Sequence, residues 1–426
     1  MSNVLNEYRW RGMLQDLTEG VDEAFSGEPR TAYIGFDPTA SSLHVGSLLP
    51  IMGLVHLQRA GHHPIGVVGG GTGLIGDPSG KTQERQLLTR EMAAENLEGI
   101  RGQLEHFLDF DTKTNPARMV NNLDWLGELR MVDFLRDVGK HFSVNALMRK
   151  ESVRRRLEED EAGLSYTEFS YALMQAYDFV VLHDEYNCTV QMGGSDQWGN
   201  ITAGIDLIRR MRGGKAFGVV YPLVTSSTGV KFGKTESGAV WLDPARTSPY
   251  RFFQFWLNAD DQDAIQYLKF FTLFSEDEVK GVEAELVESP HLRGAQKALA
   301  ESVTRQVHGE TGLARAKQAT QVLFGGELDG LKGEEIQDIF ADVPSREVPR
   351  LALEGEGLPL IDLLVDAGVA SSKGDARRSI QGGGVYLNNI RQEDVERTVN
   401  SGDALEGQFM VLRKGKKNYT LVKVLG

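Results

Sequence analysis

The chain has 426 residues, 41% hydrophobic and 25% charged, which allows two or three packed domains; no apolar run reaches the ~18 residues of a membrane span. A formal net charge of −14 argues against nonspecific binding of a polyanion, and a single cysteine, Cys188, excludes a disulfide framework and a cysteine-based zinc site. The polar first ten residues hold no signal-peptide core, so a cytoplasmic protein is expected.

In chain order, 31–36 (TAYIGF) predicts a strand that ends in the turn Asp37-Pro38-Thr39. An apolar helix is expected over about 47–59, then a buried strand at 64–69 running into a glycine-rich turn. Residues 117–121, 188–192 and 218–224 are further strand candidates, with helical patterns between them. Strands alternating with helices predict a Rossmann-like α/β catalytic domain over 1–243, built on a parallel sheet with helices on both faces. Ligands in such folds sit at the carboxyl ends of the strands. A helical domain is expected over 244–324 and a charged, glycine-containing connector over 325–357. A small α+β module fills 358–426, with helices near 360–367 and 373–380 and short strands after a Gly382-Gly383-Gly384 turn. That module holds ten Lys/Arg against eight Asp/Glu, a net of +2, which leaves −16 for the rest of the chain. It is basic only by comparison, which permits nucleic-acid binding there.

Two short segments about 187 residues apart carry the chemistry. Leu43-His44-Val45-Gly46-Ser47 follows the first strand, and Lys231-Phe232-Gly233-Lys234-Thr235 lies in mid-chain. Each alone is a common tripeptide or a solvated loop. Together they describe an ATP site, because phosphate charge is held well by helix N-termini, imidazole and ammonium groups.

Other motifs carry bland readings beside sharp ones. Gly71, Gly73 and Gly76 spell G-x-G-x-x-G after a Val-Val run. A dinucleotide site wants an acidic residue closing the next strand ~20 residues on. Residues 82–106 instead read as a polar helix, and Asp77-Pro78 interrupts the expected helix start. Gly80-Lys81-Thr82 resembles the end of a P-loop, with its first glycine one residue out of register. This loop either lines a nucleotide or amino-acid site, with Lys81 and Arg85 near phosphate, or is a tight turn that needs glycine. Tyr171, Gln175 and Asp178 share one helix face inside an apolar stretch, as a ligand-reading stripe or as an exposed amphipathic face. Gly193-Gly194-Ser195-Asp196-Gln197-Trp198 follows a candidate strand. Its small residues allow close backbone approach and Asp196 suits a ribose; a turn with an N-cap is the alternative. His62-His63 reads as surface loop, and no structural metal is expected.

Tyr33-Ile34-Gly35-Phe36-Asp37-Pro38-Thr39, His44-Val45-Gly46, the GDPSGK loop, Asn121-Asn122-Leu123-Asp124-Trp125, the 171–178 helix, GGSDQWGN and KFGKT together resemble bacterial tyrosyl-tRNA synthetase, over essentially the whole chain. The resemblance implies a class I synthetase that makes tyrosyl-adenylate from L-tyrosine and ATP, with Mg2+ accompanying the ATP, and passes tyrosine to tRNA(Tyr). Tyr33 and Asp178 would then bond the tyrosine phenol. Asp77, Tyr171 and Gln175 would hold its ammonium, with Asn122 and Gln191 supporting the pocket. Gly35, Asp37, Thr39, Gly46, Ser47, Gly194, Asp196 and Gln197 would line the ATP side. His44, Lys231, Lys234 and Thr235 would stabilise the reacting phosphate, with Lys81 and Arg85 near the departing pyrophosphate. The end of the chain resembles a small RNA-binding fold of a ribosomal small-subunit protein, with Lys373, Arg377, Arg378 and Lys414 toward tRNA. A homodimer and no tightly bound cofactor are implied. Ser47 departs from the usual pattern, which has a second histidine; its hydroxyl donates a hydrogen bond but carries no charge. Competing readings are a tryptophanyl-type synthetase, a nicotinamide oxidoreductase and an inactive RNA-binding relative.

Overall fold

The computed structural model describes residues 3–79, 88–150, 153–154, 164–227, 232–235, 238–323, 325–341, 343–415 and 418–426. Lys81, Arg85 and Lys231 lie outside the described residues, and Lys234 and Thr235 are described by their backbone.

Six strands form the first sheet: β1 (Asp16–Leu17), β2 (Thr31–Phe36), β3 (His63–Val68), β4 (Arg118–Asn121), β5 (Cys188–Gly194) and β6 (Phe217–Tyr221). Their order is β1-β6-β5-β2-β3-β4, parallel throughout except for β1 on β6. From β2 the chain moves outward through β3 and β4. It then returns to β5 and moves the other way to β6. The reversal opens a crevice at the carboxyl ends of β2 and β5.

Helices α1 (Val4–Arg11), α2 (Val21–Phe25), α3 (Leu48–Arg59), α4 (Arg90–Leu104), α5 (Leu123–Leu126), α6 (Met131–Asp137), α7 (Val144–Met148), α8 (Tyr166–Tyr186) and α9 (Trp198–Arg212) belong to the same part of the chain. α3 is apolar nearly all round, and Leu48, Leu49, Ile51, Met52, Leu54 and Leu57 are all buried. α8 begins where the Ser165 side chain accepts from the Glu168 amide, and it ends at Asn187 in the left-handed conformation. Its Ala176, Phe179, Val180 and Leu182 share a core with Tyr33, Ile65, Val67, Leu207 and Ile208. Among the described residues no helix is long and apolar enough to cross a membrane.

Residues 249–322 are helical, as α10 (Pro249–Leu257), α11 (Asp261–Phe271), α12 (Glu276–Glu288) and α13 (Gly294–Val322). These helices fall in two compact units. By contacts the chain divides into Met1–Asp243 with Leu257–Val307, and Pro244–Trp256 with His308–Gly426. Two features accompany this division of the expected 244–324 domain. Gly309, with φ at 69°, breaks α13 beside the second division. In the first unit, the buried Arg11 guanidinium holds the end of α11: it donates to the Lys269 carbonyl at 2.8 Å, the Thr272 carbonyl at 2.9 Å and the Phe274 carbonyl at 2.6 Å.

The second unit holds α14 (Gly333–Ile339), β9 (Ser345–Pro349), β10 (Leu358–Pro359), α15 (Leu360–Asp366), α16 (Lys373–Gln381), β11 (Val385–Leu387), β12 (Ile390–Gln392), β13 (Thr398–Val399), β14 (Phe409–Lys414) and β15 (Asn418–Leu425). Its five-stranded sheet runs β12-β11-β14-β15-β9. β9 lies parallel to β15, so part of 325–357 is an edge strand rather than a connector. Sequence texture missed it because only Val348 of SREVP is buried. Val322, Leu328, Leu331, Ile336 and Phe340 share a core with Phe409, Val411, Tyr419 and Leu421. A chain ending at Glu347 would strip that core and cut through β9. Such a fragment is expected to unfold at lower denaturant concentration than the full chain and to bind a dye for exposed apolar surface. Denaturation followed by fluorescence checks this.

Candidate active site

A cavity of about 350 Å³ opens at the crevice between β2 and β5. It is lined by Tyr33, Gly35, Asp37, Thr39, His44, Gly46, Ser47, Asp77, Asn122, Tyr171, Gln175, Asp178, Gln191, Gly194, Asp196 and Gln197. These are all the residues expected on the tyrosine side, with the described ATP-side residues other than Lys234. Thr72, Pro50 and Trp241 also line it and were not foreseen.

One end of the cavity is a buried polar cluster. Tyr33 and Gln191 stand beside each other on paired β2 and β5. Asp178, on α8, accepts from Asn122 Nδ2 at 2.9 Å and from Trp125 Nε1 at 2.7 Å. Asn122 in turn accepts from the Gly71 amide at 2.7 Å and donates to Thr72 Oγ1 at 2.9 Å. The glycine loop is therefore moulded around the asparagine. It forms a short 3-10 turn, Thr72–Leu74, rather than the start of a phosphate-binding helix, which removes the dinucleotide reading of Gly71, Gly73 and Gly76.

The Tyr33 hydroxyl, Gln175 Oε1 and Gln191 Oε1 are buried here without a hydrogen-bond partner among the described residues. Each such group costs ~1–3 kcal/mol when left unpaired, so three in one cavity mark a place for a ligand with matching polar atoms. Burial, opposed by the bonds from Asn122 and Trp125, pushes the Asp178 carboxyl up to about 7. Burial and the charge of Asp178 also hold the Tyr33 phenol well above its ordinary range.

At the middle of the cavity Tyr171 donates to Asp37 Oδ2 at 3.0 Å, and Thr72 Oγ1 donates to Asp37 Oδ1 at 3.0 Å. Asp77 accepts from the Ser79 amide at 2.9 Å and from Gln197 Nε2 at 2.7 Å. Asp37, Asp77, Asp178 and Asp196 give the cavity four carboxylates. That field suits an ammonium group. A polyphosphate needs added cations; of those expected there, Lys81, Arg85 and Lys231 lie outside the described residues.

At the other end the two signature segments meet. The Val45 amide donates to the Val240 carbonyl at 2.9 Å, the Leu242 amide to the Leu43 carbonyl at 2.9 Å, and the Val240 amide to the Gly233 carbonyl at 3.0 Å. The strands β7 (Lys234–Thr235) and β8 (Gly238–Ala239) pair just beyond. Gly233 has φ at 76°, and a Cβ there would lie 2.7 Å from Val45 Cγ2, so only glycine allows this approach. His44 Nδ1 accepts from the Gly46 amide at 3.0 Å, which assigns the ring proton to Nε2 and makes that nitrogen a donor. Gly46 must also be bare, since a Cβ would sit 2.7 Å from the imidazole. Ser47 closes the 3-10 turn Val45–Ser47 ahead of α3, with no capping bond from its side chain.

In the second unit, Lys373 pairs with Asp362 at 2.7 Å, Arg377 with Glu396 at 3.8 Å, and Lys414 with Asp375 at 2.9 Å. Arg378 has no ion-pair partner among the described residues. Among the described residues no group of three or more His, Cys, Asp or Glu forms a metal cluster.

The open parallel sheet, with its cavity at the strand reversal and a histidine segment backbone-bonded toward a lysine segment, defines a class I aminoacyl-tRNA synthetase. Residues 26–325 match the family of tRNA synthetases class I (W and Y), and residues 335–422 match the tyrosine–tRNA ligase SYY-like C-terminal domain. The chain is 56% identical to the tyrosine–tRNA ligase of Roseiflexus castenholzii, covering 100% of both, and 51% identical to that of Opitutus terrae, covering 99% of this chain and 100% of the relative. A C-terminally truncated mitochondrial tyrosyl-tRNA synthetase from Aspergillus nidulans superposes with a TM-score of 0.69 at 27% identity, over 76% of this chain and 95% of that one. The chain belongs to the bacterial tyrosine–tRNA ligase family.

The raised Asp178 value is open to direct test. Because it lies above the ordinary 3.8, the folded chain holds this proton more tightly than the unfolded one. The group thus favours folding below its unfolded value, and that contribution is lost as pH rises through about 7. Carboxyl-carbon NMR of the unliganded protein should show one aspartate titrating near 7. Trp125→Phe removes a bond to the carboxylate and should move that titration upward.

Proposed function

We propose that the cavity activates L-tyrosine with ATP and that the chain then transfers the tyrosyl group to the 3′ end of tRNA(Tyr). The observation that carries this is the set of unpaired buried groups around Asp178. A phenol entering there donates to the Asp178 carboxylate and accepts from the Tyr33 hydroxyl, while Gln191 lies alongside. Phenylalanine leaves both groups unpaired and is rejected for that reason. The ammonium is held where Asp77, Tyr171 and Gln175 converge, in a field of carboxylates.

ATP enters with its Mg2+ on the side lined by Gly35, Asp37, Thr39, Gly46, Ser47, Gly194, Asp196 and Gln197. The tyrosine carboxylate is already ionised, so it needs no base. One of its oxygens attacks the α-phosphorus, and the bond to the bridging oxygen of pyrophosphate breaks. His44 Nε2–H donates to the charge that builds on the phosphate, aided by Lys231, Lys234 and Thr235. Lys81 and Arg85 receive the pyrophosphate. Ser47 supplies a neutral hydroxyl, so His44 carries the imidazole share alone.

tRNA is held in part by Lys373, Arg377, Arg378 and Lys414. The ion pairs at three of them lie at the surface, where water and salt compete, and yield to phosphate. A second copy of the chain is the partner we assign to the exposed Met131, Val132, Leu135, Val144, Met148 and Tyr166, apolar side chains concentrated on α6, α7 and the start of α8. The cytosol is the compartment for this reaction.

His44→Ala is expected to slow adenylate formation about 100-fold while changing tyrosine affinity less than about threefold. A pre-steady-state burst alongside equilibrium dialysis of tyrosine separates the two effects. Asp178→Ala should do the reverse first, costing ~2–4 kcal/mol of tyrosine binding. Near-normal tyrosine kinetics in that variant would remove the phenol assignment. Val132→Glu should shift the sedimentation coefficient from dimer to monomer.

A further inference from the structure

The main-chain join between residues 43–45 and 240–242 also decides which side chains meet across it. His44 and Trp241 form an isolated antiparallel bridge. The bonds flank that pair: the Val45 amide donates to the Val240 carbonyl, and the Leu242 amide to the Leu43 carbonyl. His44 and Trp241 are therefore a non-hydrogen-bonded pair, the kind that brings opposed side chains closest on one face. Alternation sends their neighbours the other way. Leu43, Val45, Val240 and Leu242 are all buried, while His44 and Trp241 both line the cavity.

The two rings meet edge-on. Their centroids lie 6.2 Å apart at an interplanar angle of 66°, a geometry that sets the positive edge of one ring against the face of the other. His44 Nδ1 also accepts from the Gly46 amide at 3.0 Å, and only a bare Gly46 leaves room for the ring there. The imidazole is exposed in the unliganded cavity, and an exposed ring samples several rotamers unless its neighbours limit it. Ser47 brings no second imidazole to this wall, so the placing of His44 matters the more.

We propose that Trp241 is a positioning residue for adenylate formation: its indole, set beside His44 by the main-chain pairing, confines the imidazole to the arrangement in which Nδ1 stays on the Gly46 amide and Nε2–H is presented to the reacting phosphate. This rests on the phosphate role given to His44 above. Trp241 has no charge to offer a phosphate, so its effect on the chemical step passes through the imidazole.

The test uses the full chain. Trp241→Ala removes the ring, Trp241→Leu keeps apolar volume without a ring, and Trp241→Phe keeps a ring beside the imidazole. Trp241→Ala and Trp241→Leu are expected to lower the single-turnover rate of adenylate formation about tenfold at saturating ATP, with the tyrosine dissociation constant unchanged within about twofold. Trp241→Phe should stay within about threefold of the unmodified chain. In a His44→Ala background, Trp241→Ala should change the rate less than about twofold, because the group it positions is gone. A full tenfold loss in that background overturns the proposal. So does a wild-type rate in Trp241→Ala or Trp241→Leu, or a loss of tyrosine affinity that matches the loss of rate. A raised ATP dissociation constant with an unchanged rate at saturation also overturns it, since the indole then serves ATP binding instead. If His44→Ala itself reacts at the wild-type rate, the phosphate role of His44 fails and takes this proposal with it. A normal His44 defect with a silent Trp241→Ala overturns the positioning role alone.

Discussion

Three backbone hydrogen bonds set the chemistry of this chain. They run from 43–45 to 240–242 and on to Gly233. Without them His44 and Lys234 are ordinary residues on separate loops. With them, a histidine at the carboxyl side of β2 is joined through main-chain bonds to a segment about 190 residues later. The join uses main-chain groups, so most side chains along it are free to vary. The exceptions are steric. Gly233 must be bare where it meets Val45, and Gly46 must be bare under the imidazole. Charge stabilisation of a reacting phosphate depends on groups fixed in advance, because reorganisation at the moment of reaction is costly.

The other end of the cavity works by a different rule. Asp178 is buried, yet it is given only two donors, Asn122 and Trp125. Its neighbours Tyr33 and Gln191 are left with unpaired polar atoms. A protein that needed only stability would have filled this space with apolar groups. Retaining polar atoms and leaving them unpaired makes the empty site less favourable and the filled site selective for a ligand that pairs them all. The same arrangement explains why Asn122 sits at the centre of the network. It orders the glycine loop, through Gly71 and Thr72, and it orders Asp178.

Much of this was legible in the sequence. The β3 and β6 strands are largely apolar runs, as parallel strands buried on both faces tend to be. The Tyr171, Gln175 and Asp178 stripe could be read because polar residues at helical spacing inside an apolar stretch rarely serve packing alone. Trp125 stands out only as part of a motif, since a tryptophan ring on a four-residue helix gives no periodic signal. Trp241 gives no signal at all, because its place comes from a backbone bridge to His44, which no local pattern reveals. The strand β9 inside the expected 325–357 connector was missed for a related reason. β9 pairs with β15 across more than 70 residues, and its exposed, charged face resembles a linker.

The end of the chain shows how surface charge can be held in reserve. The Lys414 ammonium, together with the Ser371 amide, holds the Asp375 carboxyl down at about 2, and the pair lies at the surface. Exposed pairs of this kind contribute little to stability because water and salt compete for both partners. Their effect is on geometry. A paired lysine occupies one place instead of many, and a phosphate that displaces the carboxylate finds the cation already ordered. Residues 358–426 carry a net charge of +2 beside −16 on the rest of the chain, so the proposed hold on tRNA there rests on arrangement rather than on total charge.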